Sequence, residues 1–306
     1  PVVALAAILH AAASCVLGPV IAAISLGLVG PRAIGERLGR NARFASLGNG
    51  VAAGVMGVVG YLLSSRAVFV VSFAFAVATL LALARIRDRE IDPEQAHGAV
   101  ARTEPDPDAT SVLHLLHRRP LVVFACTVFL LQFANAAMLP LMAGIVTERS
   151  SEGAPALIAL CIIVPQAIVA LISPSVGRKA QAWGRRPLLM IAFAALAVRG
   201  ALFATVHDPS LLVAVQVLDG ITAAVFGVMI PLIVADVAFG SGHFNLAQGV
   251  IGTATGIGAS LSTVVAGTMS DHFGHGFAFM GLAAAALSGL LVVLTFMPET
   301  RLAEEP

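Results

Sequence analysis

The sequence predicts an all-α polytopic membrane bundle, and three observations carry that prediction. Nine apolar stretches of membrane-spanning length follow one another along 306 residues. Cationic side chains crowd into alternate gaps between these stretches. Charged residues make up 11% of the chain, against about 25% in a soluble domain, and the mean hydropathy is +0.93.

The spans are expected at 1 to 30, 44 to 63, 67 to 85, 121 to 146, 156 to 176, 187 to 206, 210 to 238, 246 to 269 and 276 to 297. A rise of ~1.5 Å per residue lets ~20 residues cover ~30 Å of hydrocarbon. The apolar runs continue around each helix without a period of two, which excludes a β-barrel. A soluble helical protein would need a charged face on each long helix, and none is present. The segment 87 to 120 is a linker: HGAVARTEPDPDATS is too polar to span a membrane and too poor in apolar residues to build a core.

Arginine supplies 17 of the 18 cations. Arg32, Arg37, Arg40 and Arg43 fill the gap after the first span, and Arg85, Arg87, Arg89, Arg102, Arg118 and Arg119 bound the linker. Arg178, Lys179, Arg185 and Arg186 follow the fifth span, and Arg301 follows the ninth. These gaps are therefore cytoplasmic, while Arg66 and Arg149 fall on the opposite side of a multi-pass inner-membrane protein. The same orientation places residue 1 at the outer surface. A chain starting there with Pro1, without Met or a signal peptide, is expected to be N-terminally incomplete.

Internal repetition points the same way. PSLLVAVQVLDGITAAVFG at 209 to 227 aligns with PVVALAAILHAAASCVLG at 1 to 18, which sets Asp219 against His10. In each copy a polar gap, a Gly-rich span and a very apolar span follow. The expected organisation is 1–86 as the last three helices of a first half, 87–120 as the cytoplasmic linker and 121–306 as a six-helix second half.

The residues SVGRKAQAWGRR at 175 to 186 resemble the basic signature between the second and third helices of each half in the major facilitator superfamily. Gly177, Gly184, Arg185 and Arg186 match it, whereas Gln181 stands at the usual acidic position. The resemblance implies a bundle of the major facilitator type, with this chain as helices four to twelve of a bacterial efflux-type member. It also implies alternating access, a small-molecule substrate, proton coupling, lipid surroundings and a monomer when complete. In that family the first helix of each three-helix segment lines the central path, which maps Gln132, Asn135, Gln216 and Asp219 onto cavity-facing helices and leaves Gln166 a further candidate.

Ionisable groups within spans mark the coupling site. Arg199 and Asp219 reach similar depth on neighbouring antiparallel helices, and either charge alone costs several kcal/mol in hydrocarbon. They are expected to pair, as a coupling site or as a permanent salt bridge. Histidine is the side chain whose ordinary range lies nearest neutral pH, and His10 joins them by its repeat position. On the basic face, Gly177, Arg178, Gly184, Arg185 and Arg186 are expected to form a gating loop, with Asp236 as partner to Arg178 or Arg185. Gly50 and Gly54, like Gly252 and Gly256, are expected to pack helices closely.

Other chemistries are excluded or unsupported. Cys15, Cys126 and Cys161 lie in spans without CxxC spacing, so neither disulfide nor metal site is expected. No Walker A loop, nucleophile constellation, cofactor motif or nucleic-acid-binding pattern is present. A second reading is a membrane structural or interaction protein, or an inactive transporter remnant.

Overall fold

Residues 31–43, whose arginines mark a gap in the hydropathy pattern, are helical. The computed structural model describes residues 2–98, 118–149, 154–206 and 208–301. In it α1 runs Val2–Leu62, through both of the first two expected spans. Its one non-helical backbone conformation is at Gly30, with φ 70° and ψ 175°, a region that glycine enters without steric cost. Pro31 follows, and a missing N–H is harmless in the first turn after a break.

This continuity corrects the count of nine. Among the described residues eight helices are long and apolar enough to cross a membrane, the first running from Cys15 to Gly60. The expected N-terminally incomplete bundle of nine spans, equated with helices four to twelve, is therefore corrected to a bundle of eight membrane-length helices among the described residues. The physical reason is that Arg32, Arg37, Arg40 and Arg43 interrupt hydropathy while the backbone stays helical from Pro31 to Leu62, the one break lying before them at Gly30.

The remaining elements follow the apolar runs. Ser64 caps α2 (Ser65–Leu83) by accepting from the Ala67 N–H at 3.2 Å. Within the linker, a short 3₁₀ turn (Asp88–Glu90) leads to α3 (Pro93–Ala96), and the linker's residues 99–117 lie outside the described structure. The expected span 121 to 146 is two helices, α4 (Arg119–Asn135) and α5 (Met138–Arg149). Pro140 donates nothing back to the Ala136 carbonyl, and at the break the Ala137 N–H finds Ser262 Oγ of another helix at 3.1 Å. Then come α6 (Ala154–Trp183), α7 (Arg186–Thr205), α8 (Pro209–Ala238), α9 (Phe244–Phe273) and α10 (His275–Phe296).

The most buried helix is α8, which packs on α6 and α7, while α1 lies along α6. Lipid supplies no hydrophobic drive for these contacts, so they depend on close packing. A Cβ on Gly258 of α9 would fall 2.5 Å from the Phe129 carbonyl oxygen of α4, so only glycine fits that crossing. The GxxxG glycines behave otherwise. Gly50 and Gly54, like Gly252 and Gly256, face open space rather than the close neighbours expected of them. Exposed apolar side chains such as Phe69, Phe73, Leu80 and Leu81 run along α2, as lipid contact requires.

Candidate functional site

Two polar nodes join α7 to α8, one at membrane depth and one at the arginine-rich face. At depth, Arg199 is 1% exposed, and its Nη1 donates to Asp219 Oδ1 and to Asn135 Oδ1, each at 2.6 Å. Three helices, α4, α7 and α8, thus converge on one guanidinium. The Phe203 ring, one turn further along α7, lies 5.2 Å from the Arg199 guanidinium carbon and adds a cation–π contact. Asp219 keeps 21% of its side chain exposed, so the anion is the member of the pair that solvent or solute can reach.

The other polar candidates stand apart from this node. Gln216 is fully buried one turn before Asp219, and the Cys161 thiol is the polar group beside its amide, which makes no other hydrogen bond. Arg199 Nε is buried and unpartnered. Such orphaned groups cost free energy unless a water or a solute reaches them. Gln132 is half-buried against Gly258 of α9, and Gln166 is half-buried on α6; neither hydrogen-bonds to Arg199, Asp219 or Asn135. His10 falls within α1, but its side chain lies outside the described structure.

At the arginine-rich face, Arg185 meets Asp236 through two prongs, Nε to Oδ2 at 2.8 Å and Nη2 to Oδ1 at 3.1 Å. Both side chains are 2% exposed. The remaining guanidinium nitrogen donates to the Ala180 carbonyl at 2.8 Å and to Gln181 Oε1 at 3.3 Å. Thr300 Oγ1 donates to Asp236 Oδ2 at 3.2 Å. Arg185 is therefore the Asp236 partner of the two that the sequence offered. Arg178 is exposed and donates to Ser175 Oγ at 3.2 Å.

Backbone geometry explains both signature glycines. Gly177 of α6 crosses α1 so closely that a Cβ would fall 2.3 Å from the Gly35 carbonyl oxygen. Gly184 has φ +91°, and a Cβ there would meet Glu299 Oε2 at 2.4 Å. Glu299 itself was missed by the sequence reading. Its carboxylate accepts from the Arg185 N–H at 2.9 and 3.0 Å and from the Arg186 N–H at 3.2 Å. An anion at a helix N-terminus satisfies orphan amides and complements the dipole, here for α7. Arg186 Nη2 reaches the Leu294 carbonyl. Arg301 caps the other helix end, donating to the Gln181 and Ala182 carbonyls of α6 at 2.8 and 3.2 Å. The signal for these residues was the run Glu299, Thr300 and Arg301 just after the last apolar span.

Gln181, at the position the signature gives to an acid, bridges two elements. It accepts from Arg185 and donates to the Arg32 carbonyl of α1 at 3.3 Å. Nearby, Arg43 of α1 donates to the Ala170 carbonyl of α6 at 2.9 Å. That carbonyl lacks its usual partner because Pro174, four residues on, has no N–H.

Among the described residues no cluster of three or more His, Cys, Asp or Glu side chains has metal-binding geometry. A cavity of about 390 Å³, including its open mouth, lies at the opposite end of α7 and α8 from Arg185, lined by Met142, Ile145, Phe203, Leu212, His275 and Phe279. Phe203 is thus shared between the cavity wall and the Arg199 node.

The model of the Major Facilitator Superfamily matches residues 149–306. Two proteins from Mycobacterium tuberculosis, of strains CDC 1551 / Oshkosh and ATCC 25618 / H37Rv, are each 42% identical over 289 residues, covering 94% of this chain and 69% of their own length. Both are described as uncharacterized MFS-type transporters.

Proposed function

Because the chain belongs to the major facilitator superfamily, a family of membrane transporters rather than enzymes, we propose that it is a secondary active transporter exporting a small molecule across the inner membrane in exchange for protons, by alternating access. The observation that carries this reading is the buried Arg199, bonded to Asp219 and Asn135 from two other helices. A proton on Asp219 removes the only anionic partner that Arg199, a cation held in hydrocarbon, has among the described residues. Arg199 must then find another acceptor or a hydrated path, so protonation and conformation are linked. His10, opposite Asp219 in the internal repeat, is the second titratable group of this proposal.

The Arg185–Asp236 pair supplies the latch. Both groups are desolvated in the closed arrangement, and opening hydrates them. Gln132, Asn135, Gln166 and Gln216 are the polar lining that substrate would meet, and the Gln216 amide, with only the Cys161 thiol beside it, keeps hydrogen-bonding capacity to offer.

The test is reconstitution into vesicles carrying a pH-sensitive dye, with a panel of small molecules applied under an imposed proton gradient. Solute-dependent proton flux is expected from the native chain and its loss from Asp219→Asn. Equal coupled flux in both overturns the assignment of Asp219.

A further inference from the structure

The one break in α1 and part of the linker lie against each other. Pro31 has no N–H, so the Gly27 carbonyl, four residues earlier, loses its helical partner. The Asp92 N–H of the linker fills that vacancy at 3.1 Å. Asp92 also caps α3, its Oδ1 accepting from the Glu94 and Gln95 N–H groups at 2.9 and 3.1 Å. Its Oδ2 accepts from Gln95 Nε2 at 2.8 Å, which holds the Gln95 amide over Gly30; a Cβ at Gly30 would stand 2.9 Å from Gln95 Oε1. Ile91 and Ala96 cover Gly27.

The far end of the same segment belongs to other helices. The Phe244 N–H, in the first turn of α9 and without a side-chain cap, donates to the His97 carbonyl at 3.1 Å. The Gly240 N–H, in the turn between α8 and α9, donates to the Gly98 carbonyl at 2.7 Å. After the intervening residues, Arg118 returns to the same place and donates to the Val237 carbonyl at 3.0 Å. Residues 91–98 therefore bond to α1 at one end and to the α8–α9 turn at the other, at the face where α1 closes over α6 and α8.

We propose that residues 88–98 are a strap that holds the arginine-rich face shut, a second closure separate from the Arg185–Asp236 latch. α1 cannot move away from α8 until the strap leaves Gly27 or leaves the α8–α9 turn. Because its grip uses backbone groups freed by a proline and by a helix start, it detaches without unfolding any membrane helix. The inference rests on the alternating-access reading above.

Ser173 is the reporter. It is fully buried where Gly39 of α1 packs on α6, and its hydroxyl has no hydrogen-bond partner, so Ser173→Cys is a mild change. The chain carries C15S, C126S and C161S, sits in nanodiscs and is labelled with N-ethylmaleimide. Asp92→Ala with Gln95→Ala, which alters only the strap, is expected to speed labelling at position 173 about tenfold, as the loss of one or two net hydrogen bonds would. A tether from Gly98→Cys and Phe244→Cys, where the Cβ positions are 3.5 Å apart, is expected to slow labelling when oxidised and to release it on reduction. Parent-rate labelling of the double variant or of the oxidised tether overturns the strap. Arg185→Ala separates the two ideas: if it speeds labelling while the strap variants do not, only the strap fails, and if no variant changes the rate, alternating access at this face fails too.

Discussion

Arg185 and Arg199 stand 14 residues apart along the same helical stretch, and each holds an aspartate of α8, Asp236 and Asp219 respectively. At ~1.5 Å per residue the two ion pairs are separated by ~21 Å, so one antiparallel helix pair is fastened both near the membrane surface and at depth. Breaking either fastening alone leaves the other to keep α7 and α8 in register.

The deep pair is expected to be costly to break and cheap to replace. Arg199→Ala or Asp219→Ala each leaves an uncompensated buried charge and lowers unfolding free energy by about 3–5 kcal/mol. Replacing both with Ala is expected to cost far less than the sum. Chemical unfolding of the four proteins in detergent, read as a double-mutant cycle, checks this.

The Glu299 cap predicts a local effect. Glu299→Ala removes the acceptor shared by the Arg185 and Arg186 amides and is expected to cost about 1–2 kcal/mol. Hydrogen exchange is expected to quicken in the first turn of α7 and to stay slow at its centre. Uniform exchange along α7 would exclude a capping role.

The two glycine populations are expected to differ sharply. Gly177→Leu drives side chain into the Gly35 backbone, so it is expected to separate α1 from α6 and expose Ser173→Cys to labelling. Gly252→Leu points into open space and is expected to leave that labelling unchanged. Similar rates in both variants would refute the close crossing.

The orientation is tested by side-specific labelling. Single cysteines at position 105, outside the described residues, and at 301 are expected to react only from the cytoplasm, and one at position 66 only from outside. Reaction of position 105 with an impermeant reagent on intact cells would invert the orientation.

Some of this structure was legible because transfer energetics are local. The apolar cores of the spans, and the depth match of Arg199 with Asp219, follow from counting residues in hydrocarbon. The choice of Arg185 for Asp236 did not, since Arg178 lies only seven residues away and the decision depends on how Gly184 turns the chain. Hydropathy also misread 31–43, where charge lies on the surface of a continuing helix. Glu299 and Thr300 escaped notice, and Arg301 was read only as a cytoplasmic cation, because a cap supplied from over a hundred residues away leaves no periodic trace.

Pro31 and Pro174 show how a defect can serve as an address. Each proline strips one carbonyl of its helical partner, and in each case a distant residue, Asp92 or Arg43, is the group that answers. Restoring a helix-forming residue at position 174 would give the Ala170 carbonyl back its helical N–H donor, straightening the isolated helix while dismissing Arg43 from its post. A substitution that any propensity scale scores as an improvement would then loosen the bundle, because specificity between these helices is written in the bonds their backbones fail to make.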